Sequence, residues 1–367
     1  MLSELAIAPV DAALGARVQG AIDQKTKPPG SLGRIESLAL QIALAQETEA
    51  PSADPAHLII FAGDHGLVAE GVSAWPQEVT TQMVLNFAGG GAAANVFART
   101  NNVSLTVADA GVAADLGETA GAVSLSDFTP ETTPAPDHGA APAIVSAGIL
   151  HGTRNAALED ALTAEEVSQA LAFGAGMAAR VIDAGVRVLA LGEMGIGNTA
   201  SAALLGHVVA GLDLKALTGP GAGLDASGVS RKHEILTRTA ARRAVKGPED
   251  ALAAFGGLEI AAMAGALIGA AHSRTPVLVD GFIATAAALV ACTARPETMP
   301  YAIFAHRSHE PGHRLMLDHL GAEPVLDLDL RLGEGTGALL ALPLLRASCA
   351  MVGQMATFEN AGISGRT

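Results

Sequence analysis

Six short apolar runs, each ending in glycine and polar residues, constrain the fold of this chain more than any other feature. They are rich in Val, Ile and Leu, and alanine-rich segments separate them. Such runs predict buried strands, and the segments between them predict helices, so we expect an α/β fold with a parallel sheet. The runs are LIIFAGDHG near 58, SLTVADAG near 104, VRVLALGEMGIGN near 186, TPVLVDGF near 275, YAIFAH near 301 and PVLDLDLRLGEG near 324.

The polar residues that end these runs are expected to meet, because the ligand crevice of an open parallel sheet lies beyond the carboxyl ends of its strands. Glu334 belongs to this group: in RLGEGTG it stands between glycines, directly ahead of the apolar segment ALLALPLL. Such a glutamate either points to water or is held in a cleft, where a raised pKa suits it to act as a base. The last run alternates apolar and polar residues, which predicts an edge strand or an extended lead-in.

The two ends of the chain have a different pattern. In KPPGSLGRIESLALQIALAQ a Pro-Gly turn precedes apolar residues at helical spacing, and the segment after Gly337 also predicts a helix. We expect residues 1–50 and 338–367 to pack together as a small helical domain. Residues 51–337 are then the large α/β domain that carries the site.

Composition argues against several classes of protein. A net charge of −15 disfavours nucleic acid as a partner, because a phosphate backbone needs a surplus of Lys and Arg. Mean hydropathy is +0.36, but the longest apolar stretch, 194–212, carries polar residues and glycines. We therefore expect no membrane span, no secretory signal and a cytoplasmic protein.

Cys292 and Cys349 stand among small apolar residues, which favours buried free thiols. The Pro- and Thr-rich residues 113–143 predict a surface loop.

Two glycine-rich segments are candidate anion sites. The amides of GEMGIGNTAS could cradle a phosphate at a helix N-terminus, although a tight strand-to-helix turn explains the segment equally well. Glu193 in this segment suggests that ribose hydroxyls bind there instead. GPGAGLDASGVSRKHEIL also leads into a helix, and Lys232 at that junction is the better phosphate candidate. The later basic residues favour a solvated helix face: Arg238, Arg242, Arg243 and Lys246.

Three further segments have competing interpretations. HRSHEPGH matches no zinc signature, so we predict no metal there and expect His306 and Ser308 to bond a ligand or the backbone. In GDHG, Asp64 and His65 form an acid–base pair, or Asp64 orients a loop by accepting backbone N–H bonds. NFAGGGAAANVFA lacks the ending of a P-loop, so its small residues favour close helix packing instead.

Long motifs spread from about Lys27 to Met355 resemble those of one enzyme family. In chain order they are TKPPGSLGR, GDHG with GVSAWPQEVT, GEMGIGNT, VLVDGF, HRSHEPG and RLGEGTGALLALPLL. The chain thereby resembles the nicotinate-nucleotide–dimethylbenzimidazole phosphoribosyltransferase family of cobalamin (vitamin B12) biosynthesis. The resemblance implies a homodimer with a Rossmann-like large domain and a small domain made from the chain ends. It also implies transfer of the 5-phosphoribosyl group of nicotinate mononucleotide to 5,6-dimethylbenzimidazole, giving α-ribazole 5′-phosphate and nicotinate without a cofactor.

The same resemblance implies roles for particular residues. The catalytic glutamate of the family falls on Glu334, as the general base that takes a proton from the benzimidazole. Trp75 and Met83 stand where relatives have a small polar residue and an amide, so the choice among dimethylbenzimidazole, other benzimidazoles, adenine and phenolic acceptors stays open. The full set of implied contacts is Glu193, Gly195, Lys232 and Ser308 for the nucleotide, and Trp75, Met83 and Leu332 for the aromatic base.

Two other classes of protein compete with this interpretation. One is a non-catalytic benzimidazole or nucleotide sensor on the same fold, against which Glu334 argues because a sensor needs no base. The other is a dinucleotide dehydrogenase, which the first predicted strand disfavours because GDHG stands in place of G-x-G-x-x-G.

Overall fold

A parallel β-sheet organises the chain in this computed structural model, which describes residues 5–131 and 141–364. The strands are β1 Ala56–Gly63, β2 Ser104–Gly111, β3 Val123–Ser124, β4 Ile144–Ser146, β5 Val188–Met194, β6 Val277–Val279, β7 Ala302–Phe304, β8 His306–Arg307 and β9 Leu326–Asp327. Within the described residues, the first seven form one sheet in the order β3-β4-β2-β1-β5-β6-β7, and every pairing is parallel. The predicted α/β class is confirmed.

Helices cover both faces of this sheet. They are α1 Ala12–Asp23, α2 Arg34–Ala45, α3 Glu78–Ala88, α4 Ala93–Thr100, α5 Leu116–Ala120, α6 Ala164–Asp183, α7 Asn198–Ala210, α8 Leu214–Leu217, α9 Ala226–Ala240, α10 Pro248–Phe255, α11 Leu258–His272, α12 Phe282–Ala294, α13 Pro311–Leu320 and α14 Thr336–Gln354. Successive strand residues point to opposite faces. Ile59 and Phe61 of β1 therefore pack with α6, α7, α11 and α12, whereas Leu58 and Ile60 pack with α2, α3, α4 and α14.

The predicted strands agree with the sheet at five of six runs, which become β1, β2, β5, β6 and β7. The sixth run contains β9, which pairs with β8 outside the main sheet and continues as an extended lead-in to α14. The expected surface loop at 113–143 is wrong in part. Helix α5 lies within it with Leu116 buried, and β3 extends the sheet by pairing with β4. Residues 132–140 of this segment lie outside the described ranges.

The two chain ends pack together, as the sequence predicts, although their standing as a separate domain stays a prediction. Helices α1 and α2 and the last turns of α14 share a small apolar cluster that includes Val18, Ile22 and Val352. The Lys25 ammonium donates to the Met355 carbonyl at 2.9 Å, which ties the first helix to the last. Helices α2 and α14 also contribute to the core against the sheet.

Among the described residues, α14 is long and apolar enough, by length and composition alone, to cross a membrane. Its most apolar window is 61% buried inside the fold, as expected for the core helix of a globular protein. The stretch 194–212, singled out from the sequence, is instead a turn followed by α7. Cys292 and Cys349 are buried free thiols, as predicted, and burial raises the pKa of each to about 12.

Candidate active site

The site forms where the direction of strand connection reverses. From β1 the chain moves to β2 on one side, and it later returns to β5 on the other side, so a crevice opens at the carboxyl ends of β1 and β5. A buried acid or imidazole follows or ends each of the five main strands. These residues are Asp109 on β2, Asp64 and His65 after β1, Glu193 on β5, Asp280 after β6 and His306 after β7.

Glu334 lies on the turn that enters this crevice ahead of α14. Gly333, Glu334 and Gly335 have φ angles of 87°, 61° and 80°, so three consecutive residues are left-handed. Glycine adopts this conformation freely, which explains the two glycines that flank the acid. The turn rests on β5: the Glu334 amide donates to the Glu193 carbonyl at 3.3 Å, and a Cβ on Gly192 would lie 2.6 Å from the Glu334 carbonyl oxygen.

The Glu334 carboxylate is held in a cleft rather than in water, with 5% of the residue exposed. Its Oε2 accepts a 3.2 Å hydrogen bond from the Ala94 amide in the first turn of α4. Burial raises the pKa of Glu334 and the negative charge of Asp280 raises it further, while the Ala94 hydrogen bond opposes both. A buried carboxylate with a raised pKa is suited to accept a proton from a substrate.

Glu193 presents a second buried carboxyl beside this turn. Its Oε2 accepts a hydrogen bond from the Asn198 side-chain amide at the start of α7. Burial, aided by the charge of Asp280, raises the pKa of Glu193 to about 8 against the opposing hydrogen bond from Asn198. The raised pKa favours the protonated form of this carboxyl, in which it is able to donate a hydrogen bond.

Lys232 connects the two glycine-rich segments. Its Nζ donates to Thr199 Oγ1 at 2.8 Å, in the first turn of α7, and to the Gly219 carbonyl at 3.3 Å. Burial lowers the pKa of Lys232 to about 8, and the nearby Glu310 opposes this shift. Lys232 lies in the second turn of α9 rather than at its start, so the expected junction is wrong by one turn. Gly195, in the first of these segments, lies directly against the end of β1. A Cβ at this position would be 2.5 Å from the Gly63 carbonyl oxygen.

The later basic residues depart in part from the predicted solvated face. Arg238 and Lys246 are exposed, as predicted. Arg242 and Arg243 are half-buried, with Arg242 bonded to Asp160 at 2.7 Å and Arg243 to Asp250 at 2.6 Å. These two arginines lie beyond the end of α9, where acidic residues of neighbouring segments meet them.

Ser308 belongs to a buried chain of polar groups. Its amide donates to His313 Nδ1 at 2.8 Å, and His313 Nε2 is 2.9 Å from Thr285 Oγ1. Burial lowers the pKa of His313 to about 3, so its ring is neutral. Pro311 is the first residue of α13, where its missing N–H costs no helical hydrogen bond. His306 Nε2 lies 3.7 Å from Asp280 Oδ1. No group of three or more potential metal ligands occurs in the described ranges.

The structure separates the two side chains of the GDHG motif. Asp64 accepts from the Ala113 amide at 2.8 Å, which matches the loop-orienting alternative. His65 binds Glu259 at 2.7 Å and Ser201 at 3.0 Å instead of pairing with Asp64. Burial opposes protonation of His65, but the Glu259 carboxylate outweighs it and raises the pKa of the imidazole.

The three residues predicted for the aromatic base lie on different elements. Trp75 is half exposed and donates through Nε1 to the Ala222 carbonyl at 2.8 Å, so its ring is fixed to the loop ahead of α9. Met83 is half-buried on α3 and packs against the core between the sheet and helices α2, α4 and α14. Leu332 is 59% exposed directly before the turn of Glu334. Their role as one pocket stays a prediction.

Several groups of the site escaped the reasoning from sequence. The Ala94 amide lies in a segment whose small residues favoured helix packing, and Thr80 and Glu259 stand in segments where no acid or anion pattern singles them out. Asn198 lies in GEMGIGNTAS, a candidate anion segment, but its side chain was not predicted to bond Glu193. Asp280 had a usable signal, because it directly follows an apolar run in VLVDGF, as Asp64 and Glu193 follow or end theirs. Asking which residue ends each predicted strand would have found it.

Comparisons with known proteins cover nearly the whole chain. A family model described as phosphoribosyltransferase matches residues 7–363. A nicotinate-nucleotide–dimethylbenzimidazole phosphoribosyltransferase from Aromatoleum aromaticum is 48% identical, covering 99% of this chain and 99% of that protein. One from Ralstonia nicotianae is 50% identical, covering 98% and 96%. The crystal structure of CobT from Thermus thermophilus superposes with a TM-score of 0.87 at 41% identity, covering 96% of this chain and 100% of that one.

Proposed function

The chain belongs to the nicotinate-nucleotide–dimethylbenzimidazole phosphoribosyltransferase family, and from this we propose that it transfers phosphoribosyl between aromatic bases. The reaction moves the 5-phosphoribosyl group of nicotinate mononucleotide to 5,6-dimethylbenzimidazole, giving α-ribazole 5′-phosphate and nicotinate. The observation that carries the proposal is Glu334, a buried carboxylate with a raised pKa on a left-handed turn above the strand ends.

Glu334 acts as the general base. One benzimidazole nitrogen attacks the anomeric carbon more readily when a base removes the proton from the other nitrogen. The bond from the anomeric carbon to nicotinate breaks as the new bond forms on the opposite face, which inverts the anomeric centre. Because the nucleotide is already activated, much of the acceleration comes from holding both substrates in line.

The nucleotide binds across the two glycine-rich segments. Lys232 and the amides near Gly195 meet the phosphate, which is supported by the Lys232 ammonium standing at the N-terminus of α7. Glu193 bonds the ribose hydroxyls, since its carboxyl accepts hydrogen bonds and, when protonated, also donates one. Ser308, held by His313, supplies a further polar contact.

Trp75, Met83 and Leu332 line the place of the aromatic base. Their apolar character suits dimethylbenzimidazole, and it also admits another benzimidazole, adenine or a phenol as acceptor.

We further propose a homodimer in the cytoplasm. The free thiols suit a reducing compartment. The exposed side chains of Trp75, Leu328 and Leu332 suit contact with a second copy. Sedimentation equilibrium then gives twice the 36.8 kDa chain mass, and a monomer contradicts the dimer.

Product analysis tests the reaction and its residues together. The purified protein is mixed with nicotinate mononucleotide and dimethylbenzimidazole, and products are identified by chromatography and mass spectrometry. We expect Glu334→Gln to lower kcat about 10²- to 10⁴-fold, the usual contribution of a general base. Lys232→Gln is expected mainly to raise KM for the nucleotide, because it removes a binding contact.

The outcomes separate the alternatives. Absence of both products with the wild-type protein, although both ligands bind, contradicts this transfer and favours a sensor. Release of nicotinate only with another aromatic acceptor keeps the transferase and changes the base. Full activity of Glu334→Gln removes Glu334 from the role of base.

A further inference from the structure

Asp280 is a buried acid of the crevice to which the proposed mechanism assigns nothing, and it is bonded to the turn of Glu334. We propose that Asp280 is a positioning residue for the transfer: its carboxylate fixes the turn that carries Glu334 and presents a negative charge to that base. This inference rests on the proposed function, since it concerns how the proposed base is held.

The hydrogen bonds of Asp280 reach across the fold to the turn. Its Oδ2 accepts from the Gly335 amide at 3.2 Å, and its Oδ1 accepts from the Ala338 amide at 2.9 Å. The first of these amides belongs to the residue next to Glu334, and the second lies in the first turn of α14. One carboxylate from the end of β6 thus fixes both the left-handed turn and the helix that follows it.

A carboxylate at this place satisfies helix amides that have no partner within the helix. A neutral acceptor such as asparagine, however, bonds one of the two amides and turns its own N–H groups towards the other. The two bonds therefore need two acceptor oxygens, which aspartate has and asparagine does not. Asp280 is 1% exposed, so solvent does not replace a lost bond.

Charges face Asp280 from several elements. Glu193 on β5 and Glu334 on the turn are acidic, and His306 after β7 lies 3.7 Å away. Glu259 on α11 belongs to the same group of acids, because its charge raises the pKa of Glu193. Burial raises the pKa of Asp280, whereas His306 and the amides of α14 favour its ionised form. In that form its charge raises the pKa of both glutamates.

The test measures steady-state kinetics of Asp280→Asn as a function of pH with nicotinate mononucleotide and dimethylbenzimidazole. In the wild type, kcat/KM falls on the acid side where Glu334 gains its proton, above the ordinary glutamate value. Without the charge of Asp280, we expect this acid limb to move down by about one pH unit. Looser placement of the base lowers kcat roughly 10- to 100-fold, with KM for the nucleotide changed by less than about twofold.

Asp109→Asn is the matched control. Asp109 is a buried acid at the end of β2, where it accepts from the Val112 amide at 2.8 Å and the Ser146 hydroxyl at 2.9 Å. It is three strands away from β6 in the same sheet. We expect this variant to lose stability, as shown by thermal unfolding, while its acid limb stays at the wild-type position.

Each result decides the matter. A wild-type protein without product overturns the proposed function itself. An active wild type whose acid limb and kcat are unchanged in Asp280→Asn overturns the role of Asp280 alone. If Asp280→Asn does not fold, Asp280→Ser is measured in its place. Failure of both to fold while Asp109→Asn folds confines Asp280 to a structural role and also overturns the proposal.

Discussion

Glu334 has a backbone conformation that residues with a side chain adopt at a cost of about 1–2 kcal/mol. Its φ of 61° places it in the left-handed region between two glycines. A side chain is kept there although glycine fits the backbone better. Local strain of this kind persists where surrounding structure enforces it, and here contacts with Glu193 and Ala94 do so.

We therefore expect Glu334→Gly to be more stable than Glu334→Ala by about 1 kcal/mol, because only alanine retains the left-handed cost. Both variants lack the carboxylate and are expected to be inactive. Chemical denaturation of the two purified variants gives the difference directly. Equal stability, or a more stable alanine variant, means that the turn relaxes and that position 334 carries no such strain.

Helix α6 shows how a single helix end ties into its surroundings. Thr163 and Glu166 form a capping box, with the Glu166 amide donating to the Thr163 hydroxyl and the Thr163 amide to the Glu166 carboxylate. Arg154 adds two 2.7 Å bonds to the same carboxylate. The bonds from Arg154 contribute most and, together with the Thr163 amide, lower the pKa of Glu166 to about 2.

The pH dependence of stability tests this helix end. Since folding favours ionised Glu166, its contribution is complete above the unfolded pKa near 4.5 and is lost as pH falls towards 2. We expect Glu166→Gln to lower the free energy of unfolding by on the order of 1–3 kcal/mol at pH 6 and by much less at pH 2.5. Glu165→Gln, an exposed neighbour bonded to Gln169, is the control. A penalty for Glu166→Gln that does not change with pH contradicts the explanation.

The strands were predictable where burial on both faces produced a continuous apolar run, as in β1 and β5. Strands β3 and β4, the last two at one end of the sheet, were not predicted because strands of two or three residues are too short to show a periodicity. In the site, Glu334 and Lys232 stood out by residue type within glycine-rich segments. The Ala94 amide did not, because a backbone donor has no signature in the sequence. Asp280 has a signal in its position after a predicted strand, but its partners Gly335 and Ala338 are brought to it only by tertiary packing.

At the scale of the whole molecule, the two ends of the chain are joined by a small apolar cluster, which is separate from the cores on the two faces of the sheet. Ile22 lies fully buried there among side chains of α1, α2 and α14. We propose that residues 1–50 and 338–367 form a small domain with α1 as its outermost helix. The packing supports this division, whereas the contribution of α2 and α14 to the sheet core argues for close coupling.

Hydrogen exchange of Ile22→Ala tests the division. The substitution removes buried methyl groups and is expected to cost about 2–5 kcal/mol. If the chain ends open as one unit, exchange accelerates in α1, in α2 and at the end of α14, while β1 and β5 stay protected. Leu191→Ala in the sheet core is the control and is expected to accelerate exchange in β5 and its neighbours. Equal acceleration throughout Ile22→Ala indicates a single cooperative unit.

The order in which parts of the site occur along the chain has a consequence for its synthesis. Asp64, Glu193, Lys232 and Asp280 all precede Glu334, and the amides that satisfy Asp280 follow it in the turn and α14. A ribosome therefore delivers the glycine-rich segments and the sheet before it delivers Glu334. A chain that stops ahead of this turn lacks both the Glu334 carboxylate and the two amides that bond Asp280. The crevice is thus complete only once α14 has been synthesised.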